Sequence, residues 1–239
     1  MGAVLSPLDG AGLRTDAVVA RISAAIGLGV ITDGEQLPSE IDLANQLGVS
    51  TMTLREALAV LREQGLVHTK RGRGGGSFVR SSAEAVNTRS LSRLQQLSVE
   101  ELRDIGDEHL AVAGTAAMLA ARRGVAADFA RLRALAQRLA DSDDAVQNRR
   151  ADSRFQIEVA VCSQSARLTR AEVNLQAELS ALVWLPQVGI QSPERAGRHL
   201  ALSMAIAGED EVEARALAEE RSATDVRRLI ALRMELIRQ

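Results

Sequence analysis

Residues 70–80 read KRGRGGGSFVR, and their types admit three chemistries. Glycines beside basic side chains can cradle a phosphate, form a flexible linker, or make a tight turn that brings arginines against DNA. A nucleotide-binding phosphate loop ends in Gly-Lys-Ser/Thr and opens a helix, whereas here Gly76 leads into the strand-like SFVR. Acid–base and nucleophilic catalysis have little to work with. The three histidines, His68, His109 and His199, are widely separated, and no nucleophile stands with a positioned base. Cys162 is the only cysteine, which excludes an internal disulfide and a cysteine zinc cluster, and it reads as a small buried hydrophobe. Only Phe78, Phe129, Phe155 and Trp184 carry aromatic rings, too few for the stacking platforms of single-strand or RNA binders. What remains is electrostatic. Residues 48–82 hold six basic and two acidic side chains, while residues 1–80 as a whole are balanced at eight each. That local surplus is either a phosphate-contacting face or a solvated charge run on a neutral domain.

The elements that would position these side chains decide between the two. Val18, Ile22 and Ile26 recur at helical spacing before Gly27 and Gly29. Residues 34–38 (GEQLP) are short and extended, and Ser39 with Asp42 makes a capping-box variant at the start of SEIDLANQL. Leu43 and Leu47 form that helix's apolar stripe, and Gly48 ends it. Ser50 caps a second helix running to about Gln64, with Leu54, Leu58 and Leu61 inward and Gly65 just past its end. Two helices joined by the tight LGVS turn make a helix-turn-helix. LVHTK and SFVR then alternate as two short strands joined by the glycine loop, which becomes the wing of a winged helix. In that setting Ser50, Thr51, Thr53 and Arg55 sit at the start of the recognition helix, opposite its leucines. Arg55 suits bidentate reading of guanine unless it pairs with a surface glutamate. Ser39 caps its helix, whose first N–H groups also suit a phosphate. Arg71 and Arg73 would meet phosphates or the minor groove, with Gly72 and its neighbours allowing the backbone close to DNA. His68, on the strand before the wing, reads as packing or solvent contact.

The segment LPSEIDLANQLGVSTMTLREALAVLREQGLVHTKRGRGGGSFV resembles the winged helix of the GntR family of bacterial transcription regulators. LPSE, LGVS, LREAL, L-x-x-GLV and the wing ending in FV carry the resemblance. It implies double-stranded operator DNA as the partner and a homodimer on a near-palindromic site. The family typically has arginine where this chain has Ile41 and Thr51, while Arg55 keeps the third basic position.

Residues 98–239 read as helix after helix, expected at about 98–123, 125–140, 143–162, 169–185, 193–207 and 210–237. Ser98 with Glu101, Thr169 with Glu172 and Asp210 with Glu213 fit capping signatures, and Pro193 suits a first helical turn. The fold class is therefore mainly α. A flexible tail (1–12) precedes a winged helix-turn-helix (13–80), a linker or connecting helix (81–97) and an all-helical bundle (98–239). An all-helical second half resembles the FadR subgroup with its FCD-type effector-binding domain, on DSRFQIEVA and RHLALSMAIAGEDEVEARALAEER. Many such domains hold a divalent metal with one aspartate and three histidines. Position by position, these fall on Asp152, Gln156, His199 and Arg221. Asp152 and Gln156, four apart, share a helix face. A guanidinium cannot ligate a cation and repels it, so no metal and no other cofactor is expected. Arg221 would instead pair with Asp152, hold an anionic effector such as an organic acid, or snorkel to solvent. By the same resemblance His109 falls where relatives carry a pocket-facing arginine, against a bland reading as a satisfied histidine. Trp184 reads as core.

The function expected is a DNA-binding regulator, a repressor, tuned by a small anionic metabolite. The alternatives are a constitutive DNA binder and an enzyme acting on a small acid. No apolar run approaches the roughly 18 residues of a membrane span, and the N-terminus lacks the pattern of a secretion signal. With a single cysteine, this points to a cytoplasmic protein. One lysine against 28 arginines suits a GC-rich bacterial genome.

Overall fold

The computed structural model describes residues 15–72, 74–80 and 82–238. The tail expected over 1–12 and Arg73 of the wing lie outside the described residues. Contacts divide the chain into two units, 1–89 and 90–239.

In the first unit, α1 (Thr15–Gly27), α2 (Glu40–Leu47) and α3 (Thr51–Glu63) precede β1 (Val67–Lys70) and β2 (Gly76–Val79). The apolar positions found by periodicity, Val18, Ile22, Ile26, Leu43, Leu47, Leu54, Leu58 and Leu61, are buried together with Val67 and Val79. The Ser39 hydroxyl accepts from the Asp42 amide at 3.2 Å, and the Ser50 hydroxyl accepts from that of Thr53 at 3.1 Å. Gly48 leaves α2 at φ +71°, a conformation that suits glycine. β1 and β2 pair antiparallel, with Val67 opposite Val79 and His68 stacked on Phe78. The extended GEQLP segment adds a bridge between Gln36 and Phe78, and Gln36 Nε2 donates to the Gly75 carbonyl at 3.0 Å. The wing glycines serve two different ends. Gly72 lies at φ +96°, whereas Gly75 is not left-handed, and a Cβ there would sit 2.6 Å from the Lys70 carbonyl.

Residues 83–96 form a helix, α4 (Ala83–Gln96), and the division between units falls within it. Arg89 donates to the Gly65 carbonyl at 3.1 Å, while Leu94 is buried with Leu97, Leu102 and Leu229 of the second unit.

The second unit comprises α5 (Val99–Arg123), α6 (Ala126–Ala140), α7 (Ala145–Cys162), α8 (Ala166–Val183), a single 3₁₀ turn, α9 (Ser192–Ala207) and α10 (Glu211–Arg238). Six α-helices stand where six were expected. The Ser98–Glu101 capping box forms in both directions, and the Asp210 carboxylate caps the Glu213 amide. The Thr169–Glu172 box does not form. α8 starts three residues earlier, capped by Ser165, and Thr169 Oγ1 donates instead to the carbonyls of Ala160 and Ser165 from within the helix. Glu172 is thereby freed for the interior, where it is buried. α5 and α10 approach closely at Gly106, where an added Cβ would lie 2.8 Å from both Val226 methyls. Among the described residues no helix is long and apolar enough to cross a membrane.

Candidate functional site

The first turns of α2 and α3 form the face that the sequence marks for DNA. Thr51 and Arg55 are exposed and Thr53 half-exposed, opposite the buried Leu54, Leu58 and Leu61. The hydroxyls of Ser50 and Thr53 lie 2.9 Å apart, so both are engaged in the cap, as Ser39 is in its own. Arg55 donates through Nε to Glu40 at 2.6 Å, the surface pairing weighed above, which leaves its Nη groups outside that bond. Arg71 and Gly72 are exposed on the wing.

The second unit buries an unusual amount of charge. His109 comes from α5, Asp152 and Gln156 from α7, Glu172 from α8, Arg195 and His199 from α9, and Arg221 and Asp225 from α10; all are buried. Asp152 Oδ1 lies 2.8 Å from His199 Nε2, and its Oδ2 accepts from Trp184 Nε1 at 2.7 Å. Phe155 stacks on the His199 ring at 3.9 Å. Arg195 grips Asp225 with two bonds of 2.6 and 3.0 Å, and it stands 4.0 Å from Asp152. Arg221 reaches the same Asp225 at 3.3 Å and His109 Nε2 at 3.0 Å.

Arg221 therefore takes its ion pair from Asp225, one turn along its own helix, and not from Asp152. Asp152 is already engaged by His199, Trp184 and the charge of Arg195. Nor does Arg221 snorkel to solvent, since it is 4% exposed. Sequence reading placed Asp152, Gln156, His199, His109 and Arg221 in one pocket, and all five are buried. It missed Arg195, Asp225 and Glu172, and it gave Trp184 only a packing role. A signal existed for two of them. The inward stripes of α9 (Arg195, His199, Leu202) and α10 (Arg221, Asp225, Leu229) run at helical spacing through charged residues.

Burial would raise the Asp152 carboxyl, but the charge of Arg195, the bond and charge of His199 and the charge of Arg221 hold it well below the usual range. Burial lowers His199, as do Arg195 and Arg221, against the opposing pull of Asp152. Glu172 is lowered, against burial, by hydrogen bonding and charge from His109 and then by Arg221. His109 Nε2 also lies 3.4 Å from Glu172 Oε1, so one atom faces both a donor and an acceptor. Nε2 accepts from Arg221 when the ring proton is on Nδ1 and donates to Glu172 when it is on Nε2. Among the described residues, Nδ1 of His109, Nε of Arg221, Oε2 of Glu172 and Nε2 of Gln156 have no hydrogen-bond partner despite burial. A cavity of about 240 Å³ reaches His199 and Arg221 and is lined also by Arg198, Leu202, Leu217 and Glu220.

This donor set does not fit the divalent metal of many FCD-type domains. A permanently charged guanidinium stands at one ligand position, an amide at another, and both Asp152 oxygens are engaged by side-chain hydrogen bonds. Three metal-type donors do converge elsewhere, at Asp128, Glu158 and Cys162. There Arg131 binds both carboxylates, and burial with the two carboxylate charges pushes the Cys162 thiol up to about 12.

A winged helix followed by an all-helical unit is the architecture of a DNA-binding transcription regulator. The comparisons agree. Residues 14–76 match the bacterial regulatory proteins of the gntR family, and residues 104–223 match the FCD domain. The chain is 42% identical over 226 residues to RmpR of Mycobacterium gastri, named as an HTH-type transcriptional regulator, covering 93% of this chain and 82% of that one. It is 39% identical over 101 residues to the Glc operon transcriptional activator of Escherichia coli (strain K12), covering 42% and 39% of the two chains. The solved structure of E. coli McbR/YncC superposes with a TM-score of 0.55 at 18% identity, over 93% of this chain and 98% of that one. This chain belongs to the GntR family, with an FCD domain as its second unit.

Proposed function

We propose that the protein represses transcription from the cytoplasm as a homodimer on a near-palindromic operator, and that a small hydroxy acid bound in the FCD domain changes its affinity for DNA. The observation that carries the effector is the set of buried polar atoms without partners around Arg221, which itself lines the 240 Å³ cavity. Buried polar groups are nearly always paired, and orphans at a cavity suit a ligand that pairs them. The Nε–H of Arg221 and the amide of Gln156 are donors fitted to a carboxylate, with the unpartnered His109 Nδ1 nearby. Glu172 Oε2 is an acceptor fitted to a ligand hydroxyl. On the DNA side, Arg55 reads a base while Arg71, Arg73 and the capped helix ends of Ser39 and Ser50 hold phosphates. The effector acts by binding one arrangement of the dimer more tightly than the other.

The test screens small carboxylic and hydroxy acids by thermal shift on the full-length chain, followed by anisotropy on duplex DNA from its own promoter region. One acid should stabilise the protein and change DNA affinity. Arg221→Ala should abolish that response and leave DNA affinity without acid within about twofold. DNA affinity indifferent to every acid would favour the constitutive reading, for which the mutual pairing of Arg195, Asp225 and Arg221 speaks. A reporter fused to the operator gives the sign of regulation; deletion of the regulator should raise expression, and a fall would make it an activator.

A further inference from the structure

Among the described residues of the first unit, two large hydrophobic side chains are exposed: Ile41 at 66% and Met52 at 72%. Single exposed apolar residues need no explanation on a protein surface. These two, however, occupy the first turns of α2 and α3, the two helices of the helix-turn-helix. The bond from Arg55 to Glu40 at 2.6 Å ties those turns together. Ile41 follows Glu40 directly, and Met52 stands three residues before Arg55, on the same side of α3. The two first turns that the Arg55–Glu40 bond joins thus each carry one exposed apolar side chain.

Resting on the proposed reading of a base by Arg55, we infer that Ile41 and Met52 read thymine, through its 5-methyl group, on either side of that base. Neither side chain can donate or accept a hydrogen bond to a base edge. The apolar feature that the major groove offers is the thymine methyl, and apolar side chains in a recognition surface discriminate by covering it. The surroundings fit duplex DNA as the occupant better than a protein partner. Residues 48–82, which span α3 and the wing, carry six basic against two acidic side chains. Thr51, beside Met52, is exposed and offers a hydroxyl to a base or phosphate. Met also adapts its shape to a groove without a fixed rotamer. The preferred half-site therefore carries a guanine with thymines close by, and its specificity rests partly on methyl groups.

The probe is a duplex selected from a random library by the full-length protein, then resynthesised with deoxyuridine replacing thymine one position at a time. Uracil keeps every hydrogen bond and lacks only the methyl. At the contacted thymines the substitution should lower affinity about fourfold, the worth of one buried methyl. In Ile41→Ala the penalty should vanish at one set of thymines, and in Met52→Ala at another, while penalties elsewhere persist. Both positions are exposed, so melting temperatures should match wild type and separate this result from misfolding. Uracil tolerated at every thymine, or the same penalties in both alanine variants, would overturn the inference. So would unchanged affinity and consensus in the Ile41→Ala, Met52→Ala double variant, an outcome that assigns the pair to a protein partner.

Discussion

Replacing Asp225 with alanine removes the acceptor of three bonds at once, two from Arg195 at 2.6 and 3.0 Å and one from Arg221 at 3.3 Å. Both arginines are only 4% exposed. Arg195 keeps only Asp152 at 4.0 Å, and Arg221 keeps His109. Deleting one partner of a buried ion pair costs about 3–5 kcal/mol, because the other charge stays buried. For a unit the size of residues 90–239, each kcal/mol moves the melting midpoint by about 2–4 °C, so Asp225→Ala should lower it by about 6–20 °C. Calorimetry of the full-length chain reads the shift. Asp225→Asn, which keeps one acceptor oxygen, should fall between wild type and Asp225→Ala, and serves if the alanine variant does not fold. The informative comparison is Arg195→Met with Asp225→Leu. Replacing Arg195 and Asp225 together by apolar groups removes the stranded Arg195 charge but leaves Arg221 without its ion pair, so the double variant should recover only part of the loss. A shift under about 2 °C for Asp225→Ala, or a double variant as unstable as the sum of its singles, would refute the reasoning from buried charge.

Other outcomes follow from the same packing. Gly106→Ala should cost about 1–3 kcal/mol, because the Cβ meets two methyls of the branched Val226 at 2.8 Å. Gly114→Ala should cost less, since the Cβ meets the Glu219 side chain, which is 29% exposed and can swing away; equal losses in the two melting curves would contradict this. His199 has a lowered pKa in the folded state, so the unfolded chain takes up its proton first as pH falls below about 6.5. Its contribution to stability is complete above that pH and declines below it, and His199→Gln should flatten the decline measured between pH 7 and 5. An unaltered slope would remove the ring from this role. Elemental analysis of the purified chain should find no stoichiometric divalent ion, and one zinc, nickel or manganese per chain would contradict the misfit of the donor set. Arg71→Ala with Arg73→Ala should reduce the salt slope of DNA binding by about 0.9 for each phosphate no longer neutralised, and an unchanged slope would leave the wing as a mere turn.

Much of this molecule is written in short-range pattern. Ser39, Ser50 and Ser98 cap their helices because a hydroxyl two or three residues before an amide reaches it whatever the rest of the chain does. The leucines of α2 and α3 face inward because spacing alone puts them on one side, and the wing turns where glycine permits it. Thr169 marks the limit of such reading. Its pattern with Glu172 is that of a helix start, yet the helix had already begun at Ala166, and only the fold distinguishes a cap from an interior threonine. The buried cluster lies beyond local pattern altogether. Arg195 and Asp225 are 30 residues apart and His109 and Arg221 are 112 apart, so their pairing exists only once α5, α9 and α10 pack. Sequence by itself determined the helices, the winged helix-turn-helix and the family, because these depend on neighbours within a turn or two. Tertiary structure decided which buried charges satisfy one another and which polar atoms remain unpartnered, because a charge out of water takes whichever partner packing brings within about 3 Å.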